Sequence, residues 1–328
     1  MKRKLAFLLM LCFGWSFFLN GCGGTLPKTD DRLQVVCTIF PEYDWARQLT
    51  QGVNNVDLTL LVKNGTDLHS YQPSVRDIAM IARADVFCYV GGISDTWVND
   101  VLDTTENRTA QLVSMAEAAD ADEEVLAEGM QAEHEHDHHD DESDSHEEPP
   151  ELDEHVWLSL RRAALVCTAM KEALCKADPA HEDIYNQNCT DYLQKLQELN
   201  SDFTEMTSQA ARDTIVVADR FPFRYLAEDY GLTYYAAFPG CSAETEASFE
   251  TIVFLSEKVE SLHLPCVLVT EGSNSSLAKT ILENASSDGK ILTLQSLQAV
   301  SQKEIDAGVT YLSKMQENYD VLKQALNS

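Results

Sequence analysis

The segment AHEDIYNQNCTDYLQKLQELNSDFTEMTSQAA, residues 180–211, decides how the rest of the chain is arranged. It contains neither glycine nor proline, and its apolar side chains recur every three to five positions, at Ile184, Cys189, Tyr192, Leu196, Leu199, Phe203 and Met206. This spacing predicts one amphipathic helix of about thirty residues, roughly 45 Å long. Such a helix is long enough to cross two lobes, and a packed helix resists bending far better than a loop does.

Strand and helix patterns alternate on both sides of this segment, which predicts parallel sheets with helices on their faces. The fold class is therefore α/β, with two lobes that each contain a mostly parallel sheet flanked by helices, joined by one long linking helix. We expect an N-terminal lobe over 33–177, the linking helix over 178–211 and a C-terminal lobe over 212–328. Predicted strands are 33–39, 56–62, 85–90 and 111–115, then 214–218, 232–238, 265–270 and 291–294; the last predicted helix is 303–326.

A second distinctive stretch, residues 131–160, reads QAEHEHDHHDDESDSHEEPPELDEHVWLSL. Imidazoles have an unperturbed pKa of about 6.5, so most are neutral and able to bind metal at neutral pH. The tract has almost no apolar residues to offset ordering, so the sequence predicts a disordered loop over 117–154. One reading of this run is a solvated acidic linker; its five histidines, together with His155 at the start of the apolar HVWLSL, favour weak metal gathering. The loop histidines are His134, His136, His138, His139 and His146.

An HExxH spacing also occurs inside the tract, from His134 to His138. In zinc proteases a helix in an apolar context places both histidines of this motif on one face. The polar tract offers no such helix, so the motif does not indicate an enzyme.

The N-terminus has the layout of a secretory leader. Three basic residues precede an apolar run over 5–19, and LNGC follows at residues 19–22. LNGC resembles a bacterial lipobox, in which Cys22 becomes the lipidated first residue after removal of 1–21, leaving 22–32 as a tether. The alternative is an uncleaved single-span anchor, for which the apolar run is short.

The strongly negative charge of the chain limits the kinds of molecule that it can bind. The formal net charge is −30, and residues 117–154 hold eighteen Asp and Glu with no Lys or Arg. Nucleic acid binding needs clustered cations, so we expect no nucleic acid partner. A cationic ligand suits such a surface. Seven cysteines besides Cys22 follow the leader without a CxxC pair, and the sequence favours no particular disulfide.

Several motifs together resemble the zinc and manganese solute-binding lipoproteins of ABC importers, whose two lobes are joined by a long rigid helix. They are TIFPEYDWA at 38–46, LHSYQPS at 68–74, ADVFCYVGG at 84–92, the histidine-rich tract followed by HVWLSL, and DPAHEDIYNQN at 178–188. FRYLAEDYGL, ETEAS and the VTEGS segment continue the likeness, which covers residues 33–327. The resemblance implies a receptor rather than an enzyme, held outside the cytoplasmic membrane by lipid on Cys22, monomeric, with a permease and its ATPase as partners.

The resemblance also implies site residues, taken singly. His69 and His155 match the first two ligand histidines of the family. The position of the third ligand holds Arg220, and the last carboxylate falls at Gln295. Arginine cannot bind a cation, so half of the family's ligand set is missing here.

Two acids are placed to complete the site. Asp219 and Glu271 each directly follow a predicted strand, and ligands in open α/β sheets gather beyond the carboxyl ends of the strands. We expect one of them to bind the metal and the other to neutralise Arg220. The alternatives are that Asp219 simply pairs with Arg220 and that Glu271 orients a ligand histidine. Cys241 is a further candidate as a thiolate, whereas His263 precedes its strand and lies at the wrong end.

The leading hypothesis is a receptor that captures Zn²⁺ in the cleft between the lobes and delivers it to an importer permease. Two imidazoles with carboxylates suit Zn²⁺, and Mn²⁺ is the alternative because it favours oxygen ligands. A surface zinc buffer or adhesin remains open. A secreted metallohydrolase would need an open metal position with a general base beside it, and no motif supplies them.

Overall fold

A computed structural model of the chain describes residues 32–63, 65–105, 109–130, 152–242 and 246–328. Cys22 and the loop histidines His134, His136, His138, His139 and His146 lie outside these residues. From Leu33 to Ser328 the chain forms one compact unit.

The first lobe contains a four-stranded parallel sheet with strand order β2-β1-β3-β4, as the alternating sequence pattern predicts. Short 3₁₀ turns at Leu68–Ser70 and Ile93–Asp95 lie in the loops beyond β2 and β3. The elements in chain order are β1 (Leu33–Cys37), α1 (Phe40–Leu49), β2 (Val56–Leu60), α2 (Val75–Ile81), β3 (Val86–Tyr89), α3 (Trp97–Thr104), β4 (Gln111–Ser114) and α4 (Met115–Ala118).

The long helix predicted from residues 180–211 is present as α6 (Glu182–Ser208), which follows α5 (Leu160–Ala177) and a 3₁₀ turn at Pro179–His181. Its 27 residues correspond to about 40 Å. Six of the seven side chains that carry the apolar spacing are buried, and Ile184 is half-buried. The helix contacts α5, α1 and a C-terminal helix, so it packs on elements from both ends of the chain.

The second lobe repeats the architecture with the strand order β6-β5-β7-β8, again all parallel. Its elements are β5 (Thr214–Phe221), α7 (Arg224–Asp229), β6 (Thr233–Pro239), α8 (Phe249–Ser261), β7 (Cys266–Thr270), α9 (Ser276–Asn284), β8 (Lys290–Leu294), α10 (Gln302–Asp306) and α11 (Tyr311–Asn327). The single helix predicted over 303–326 is wrong. Gly308 between α10 and α11 has φ +90°, and Thr310 begins α11 with a capping box.

The predicted disordered loop over 117–154 is too wide at both ends. Glu117 belongs to α4, Glu123 forms an antiparallel bridge with Leu152, and Glu154 is fully buried. The bridge brings together residues that are far apart in sequence, which is why the acidic composition did not reveal it. The remainder of the loop, 131–151, lies outside the described residues.

One hydrophobic cluster runs from the first sheet through α5 and α6 into the second sheet. Hydrogen bonds also connect the lobes: Trp157 Nε1 donates to the Ser296 carbonyl at 2.8 Å, and the Tyr311 hydroxyl donates to the Trp157 carbonyl at 2.6 Å. Within the described ranges, no helix has both the length and the apolar character needed to cross a membrane.

Candidate metal centre

Four side chains meet where the carboxyl ends of the two sheets face each other. His69, Glu154, His155 and Cys241 each offer one ligand atom, and these atoms all lie within 4.8 Å of one another. His69 lies in the 3₁₀ turn beyond β2, His155 precedes the turn that leads into α5, and Cys241 follows β6 by two residues. Both histidines expected from the resemblance are therefore brought together, at the edge where open α/β sheets place their ligands.

His155 is fully buried and is oriented by the acid two residues before it. Its Nδ1 donates to Asp153 Oδ1 at 2.9 Å, which leaves Nε2 as the nitrogen that can accept. Burial lowers the pKa of His155, but the Asp153 hydrogen bond and the surrounding carboxylates outweigh it, so the pKa is raised overall. A cation that binds at Nε2 competes with a proton for this nitrogen.

His69 is oriented through a hydroxyl. Its Nδ1 lies 2.6 Å from Ser94 Oγ, and the same hydroxyl donates to Glu154 Oε1, while Glu154 Oε2 accepts from the Ser94 amide at 3.0 Å. With Glu154 as a carboxylate, the single Ser94 proton goes to Glu154, so His69 Nδ1 must be the donor to Ser94. Burial, followed by the charge of His155, lowers the pKa of His69 to about 4. The ring is then neutral at pH 7, with the Nε2 lone pair available.

The Nε2 atoms of His69 and His155 are the strongest evidence for a metal site. Both are buried and neither has a hydrogen-bond partner among the described residues. The ring centroids lie 5.6 Å apart with the planes tilted by 55°. Leaving a buried polar atom unpaired costs about 1–3 kcal/mol, which a divalent cation bound to both nitrogens would offset. The donor set of imidazoles, a thiol and a carboxylate fits such an ion.

Cys241 reaches the cluster because its neighbour is a glycine. A Cβ on Gly240 would lie 2.8 Å from His155 Cε1 and 2.9 Å from its Nδ1, closer than side chains approach. The Gly240 amide donates to Glu124 Oε1 at 3.1 Å. Glu124 thus holds the turn after β6 against the imidazole from a segment that the sequence assigned to the acidic loop.

The two predicted acids lie in an adjoining cavity of about 380 Å³, outside the group of four. Asp219 accepts from the Arg220 amide at 2.9 Å and from the Thr270 hydroxyl at 2.7 Å. Glu271 accepts from the amide and the hydroxyl of Ser296, both at 2.6 Å. Their role as ligands stays a prediction, whereas His263 is exposed in the turn between α8 and β7 as expected.

Arg220 has a different acid partner from those expected. Its guanidinium lies 2.9 Å from Asp67 Oδ2, so the expectation that Asp219 or Glu271 would neutralise it is wrong. The other oxygen of Asp67 accepts from the His69 amide at 3.0 Å. Burial raises the pKa of Asp67, but Arg220 and the His69 amide lower it below its usual value overall. Arg220 of the second lobe therefore helps to hold the turn that carries His69.

Sequence reasoning missed the groups that orient the ligands. Glu154 directly precedes His155 but reads as one more charge of the acidic tract, and Asp153 reads the same way. Ser94 has no sequence signal, since only the fold brings it to His69. The glycine before Cys241 is the one local signal of a close approach.

The two α/β lobes on a rigid helix, with two imidazoles between them whose Nε2 atoms are buried, define a two-lobed metal-binding protein. This chain belongs to the family described as ZnuA, zinc-uptake complex component A, periplasmic, whose model matches residues 35–325.

Related proteins agree with this assignment. The zinc-binding lipoprotein AdcA of Streptococcus pneumoniae is 32% identical over 324 residues, which are 99% of this chain and 61% of AdcA. The chain thus spans about three fifths of the length of the AdcA relatives that it matches. The high-affinity zinc uptake system protein ZnuA of Bacillus subtilis is 28% identical over 325 residues, 98% of this chain and 96% of that protein.

Solved structures share the fold. The Zn(II)-bound ZnuA-like domain of Streptococcus pneumoniae AdcA matches with a TM-score of 0.70 and 29% identity, covering 90% of this chain and all of that domain. The metal-dependent lipoprotein YcdH of Bacillus subtilis matches with a TM-score of 0.72 and 25% identity over the same shares. The two-lobed fold predicted from the sequence is confirmed.

Proposed function

We propose that this protein captures Zn²⁺ between its two lobes and delivers it to the permease of an ABC importer driven by its ATPase. The observation that carries the proposal is the cluster of His69 and His155 with a thiol and a carboxylate, in which both histidines have a buried Nε2 without a partner among the described residues. Imidazole and thiolate are zinc ligands, whereas Mn²⁺ prefers oxygen. The family's description as a zinc-uptake component supports the same ion.

The surroundings of the site favour binding over catalysis. Hydrolysis by a metal needs a general base beside an open metal position. Both oxygens of Glu154 already accept hydrogen bonds from Ser94, and His155 is fully enclosed. A carboxylate engaged in this way positions a ligand instead of activating water.

The test is a competitive titration of the mature chain without Cys22, residues 23–328, with Zn²⁺ and Mn²⁺ against a metal chelator. We expect one tight Zn²⁺ site that excess Mn²⁺ does not occupy, and loss of that site in His69→Ala and in His155→Ala. His263→Ala is the matched control, because it removes an exposed histidine from the same chain. Tight binding that survives in both histidine variants would contradict the proposal.

The same titration tests the two predicted acids, Asp219 and Glu271. Glu271→Ala and Asp219→Ala each weaken Zn²⁺ binding if either carboxylate reaches the ion, the true ligand by more. Normal affinity in the double variant would show that other groups complete the shell.

The proposal includes lipid anchoring at the outer face of the cytoplasmic membrane, with the protein acting as a monomer. It rests on the LNGC sequence at 19–22 and on the naming of AdcA as a lipoprotein. We predict that Cys22→Ala moves the protein from the membrane fraction to precursor or soluble material, detected by fractionation and mass. The control is Cys175→Ala, and membrane retention with unchanged mass in Cys22→Ala would rule the anchor out.

A further inference from the structure

We propose that the thiolate of Cys241 is the third protein ligand of the captured ion and that it makes the site select Zn²⁺ over Mn²⁺. This inference rests on the proposed function, since it concerns the ion held by His69 and His155. It assigns the donor that replaces the family's third ligand, whose position holds Arg220 in this chain.

The backbone is built to bring Cys241 to the ion. Its Sγ lies within 4.8 Å of the ligand atoms of His69, Glu154 and His155. The approach requires Gly240, where a Cβ would collide with the His155 ring, and Glu124 fixes the turn by accepting from the Gly240 amide. Two independent features therefore hold the cysteine beside an imidazole whose buried Nε2 has no partner among the described residues.

The other polar side chains of the second lobe near the site lie outside this cluster. Arg220 pairs with Asp67, Asp219 accepts from Thr270 and Arg220, and Glu271 accepts from Ser296. Within the part of the chain that the structure describes, Cys241 is the one residue of the second lobe in the metal-type cluster. Without Cys241, all ligands of the ion in this cluster would come from the first lobe.

Charge balance supports a thiolate. Two neutral imidazoles leave the two positive charges of Zn²⁺ unbalanced, and a buried divalent charge must be neutralised locally. The Cys241 thiolate and the Glu154 carboxylate supply one negative charge each inside the cluster. Arg220 adds no excess positive charge, because Asp67 balances it.

The chemistry of the thiolate ligand then determines which ion the site prefers. As the Zn–S bond forms, the S–H bond breaks and its proton leaves to solvent, because coordinated thiols are deprotonated by the metal. A soft thiolate favours Zn²⁺, whereas Mn²⁺ favours carboxylate, carbonyl and water oxygen. A receptor with this third ligand discriminates against Mn²⁺ even when Mn²⁺ is in excess.

The experiment uses Co²⁺ as a spectroscopic probe in reduced chain 23–328. We expect a sulfur-to-cobalt charge-transfer band in the near ultraviolet, which one equivalent of Zn²⁺ abolishes. Cys241→Ser loses the band and binds Zn²⁺ at least about 100-fold more weakly, since even groups that only orient a ligand change affinity by 10–100-fold. Cys175→Ser is the matched control, because it removes another half-buried cysteine, in α5, and keeps the band.

A second variant keeps the test independent of folding. Cys241→Asp replaces sulfur by oxygen at the same position, and the ratio of Zn²⁺ to Mn²⁺ affinity falls by more than about tenfold. Thermal unfolding of the metal-free variants stays within a few degrees of the parent. A ratio that does not change in Cys241→Asp contradicts the proposed selectivity.

The remaining outcomes separate this inference from the proposed function. Tight Zn²⁺ binding that requires both histidines but shows no charge-transfer band overturns the inference and leaves the function standing. A band that survives in Cys241→Ser assigns the sulfur to another cysteine and also overturns it. Absence of tight Zn²⁺ binding in the parent chain overturns the proposed function itself.

Discussion

Each candidate ligand histidine is oriented by an acid, directly in one case and through a serine hydroxyl in the other. Asp153 contacts His155 directly, whereas Glu154 acts on His69 through the Ser94 hydroxyl. Both arrangements place the proton on Nδ1 and leave Nε2 for the ion, the usual arrangement around metal-bound histidines. Adjacent residues of the chain, Asp153 and Glu154, thus orient ligands contributed by two distant segments.

We predict that Ser94→Ala weakens Zn²⁺ binding by about 10–100-fold, the range found when a group that orients a ligand is removed. The alanine cannot accept from His69 Nδ1, so the ring loses its fixed tautomer. Calorimetric titration with Zn²⁺ measures the change. Ser201→Ala, an exposed serine on α6, serves as the control, and equal affinity in the two variants would refute the relay.

A buried acid away from the metal centre gives a prediction about stability and pH. Glu42 at the start of α1 is fully buried and accepts from the Thr38 and Ile39 amides through one oxygen. Burial is the main cause that raises its pKa from 4.5 to about 8, and the charge of Asp95 adds to it. Because the folded pKa exceeds the unfolded one, the folded state holds more protons between these values. The stability contribution of Glu42 is therefore complete below about pH 4.5 and is lost as the pH rises through about 8.

Glu42→Gln keeps the shape of the protonated acid and cannot ionise. We predict that urea unfolding from pH 5 to 9, with chelator present, shows a smaller loss of stability with rising pH than in the parent. The difference should reach a few kcal/mol, since each pKa unit corresponds to about 1.4 kcal/mol. Asp95, whose pKa burial raises to about 7, contributes to the decline that remains, together with other buried acids whose pKa burial raises, such as Glu154 and Glu271. Identical slopes in the two proteins would show that Glu42 does not titrate in this range.

The sequence predicted the two histidines that the structure brings together, but not the residues around them. His69 and His155 stand in recognisable motifs, and the carboxyl-end rule placed Asp219 and Glu271 at the correct edge. The rule cannot say which hydrogen-bond donors lie beside an acid, and Thr270 and Ser296 engage these two. Such contacts depend on side-chain packing, which has no periodic signal.

Elements were predicted more reliably than contacts, because burial imposes a period on the sequence. The apolar spacing of α6 is regular over its whole length, and the structure contains one helix there. The C-terminal pattern is similarly apolar, yet Gly308 divides it. A glycine within a helix costs only about 1 kcal/mol, so its presence did not exclude a continuous helix. In the structure, Gly308 has a positive φ, which interrupts the helix at this position.

The stability of α6 should depend on its buried face. Phe203 is fully buried, stacks on Tyr230 with centroids 4.8 Å apart and meets Tyr319 edge-on at 5.3 Å. We predict that Phe203→Ala lowers the free energy of unfolding by about 3–5 kcal/mol, because it leaves a cavity between these rings. Denaturant unfolding provides the measurement. The exposed Lys195→Ala on the same helix should change it by less than about 0.5 kcal/mol, and similar losses in both would contradict the packing argument.

At the scale of the whole molecule, the two lobes share one core instead of meeting at an open hinge. The cluster that contains Val35 of the first sheet also contains Phe203 of α6 and Leu268 of the second sheet. Trp157 and Tyr311 add hydrogen bonds across the lobes, and Arg220 with Asp67 adds an ion pair beside the site. A wide rotation of one lobe would break all of these together.

We therefore predict that metal release changes the loops near the site but not the angle between the lobes. Small-angle X-ray scattering profiles of metal-free and Zn²⁺-loaded chain 23–328 should superimpose, because the α6 connector and the shared core resist bending. The His69→Ala, His155→Ala double variant with Zn²⁺ is the control that separates binding at this site from weaker association elsewhere. A clear fall in the radius of gyration on loading, absent from the control, would reveal a hinge closure. The lobes would then close on the ion as hinged binding proteins do, and the helix would have to bend between them.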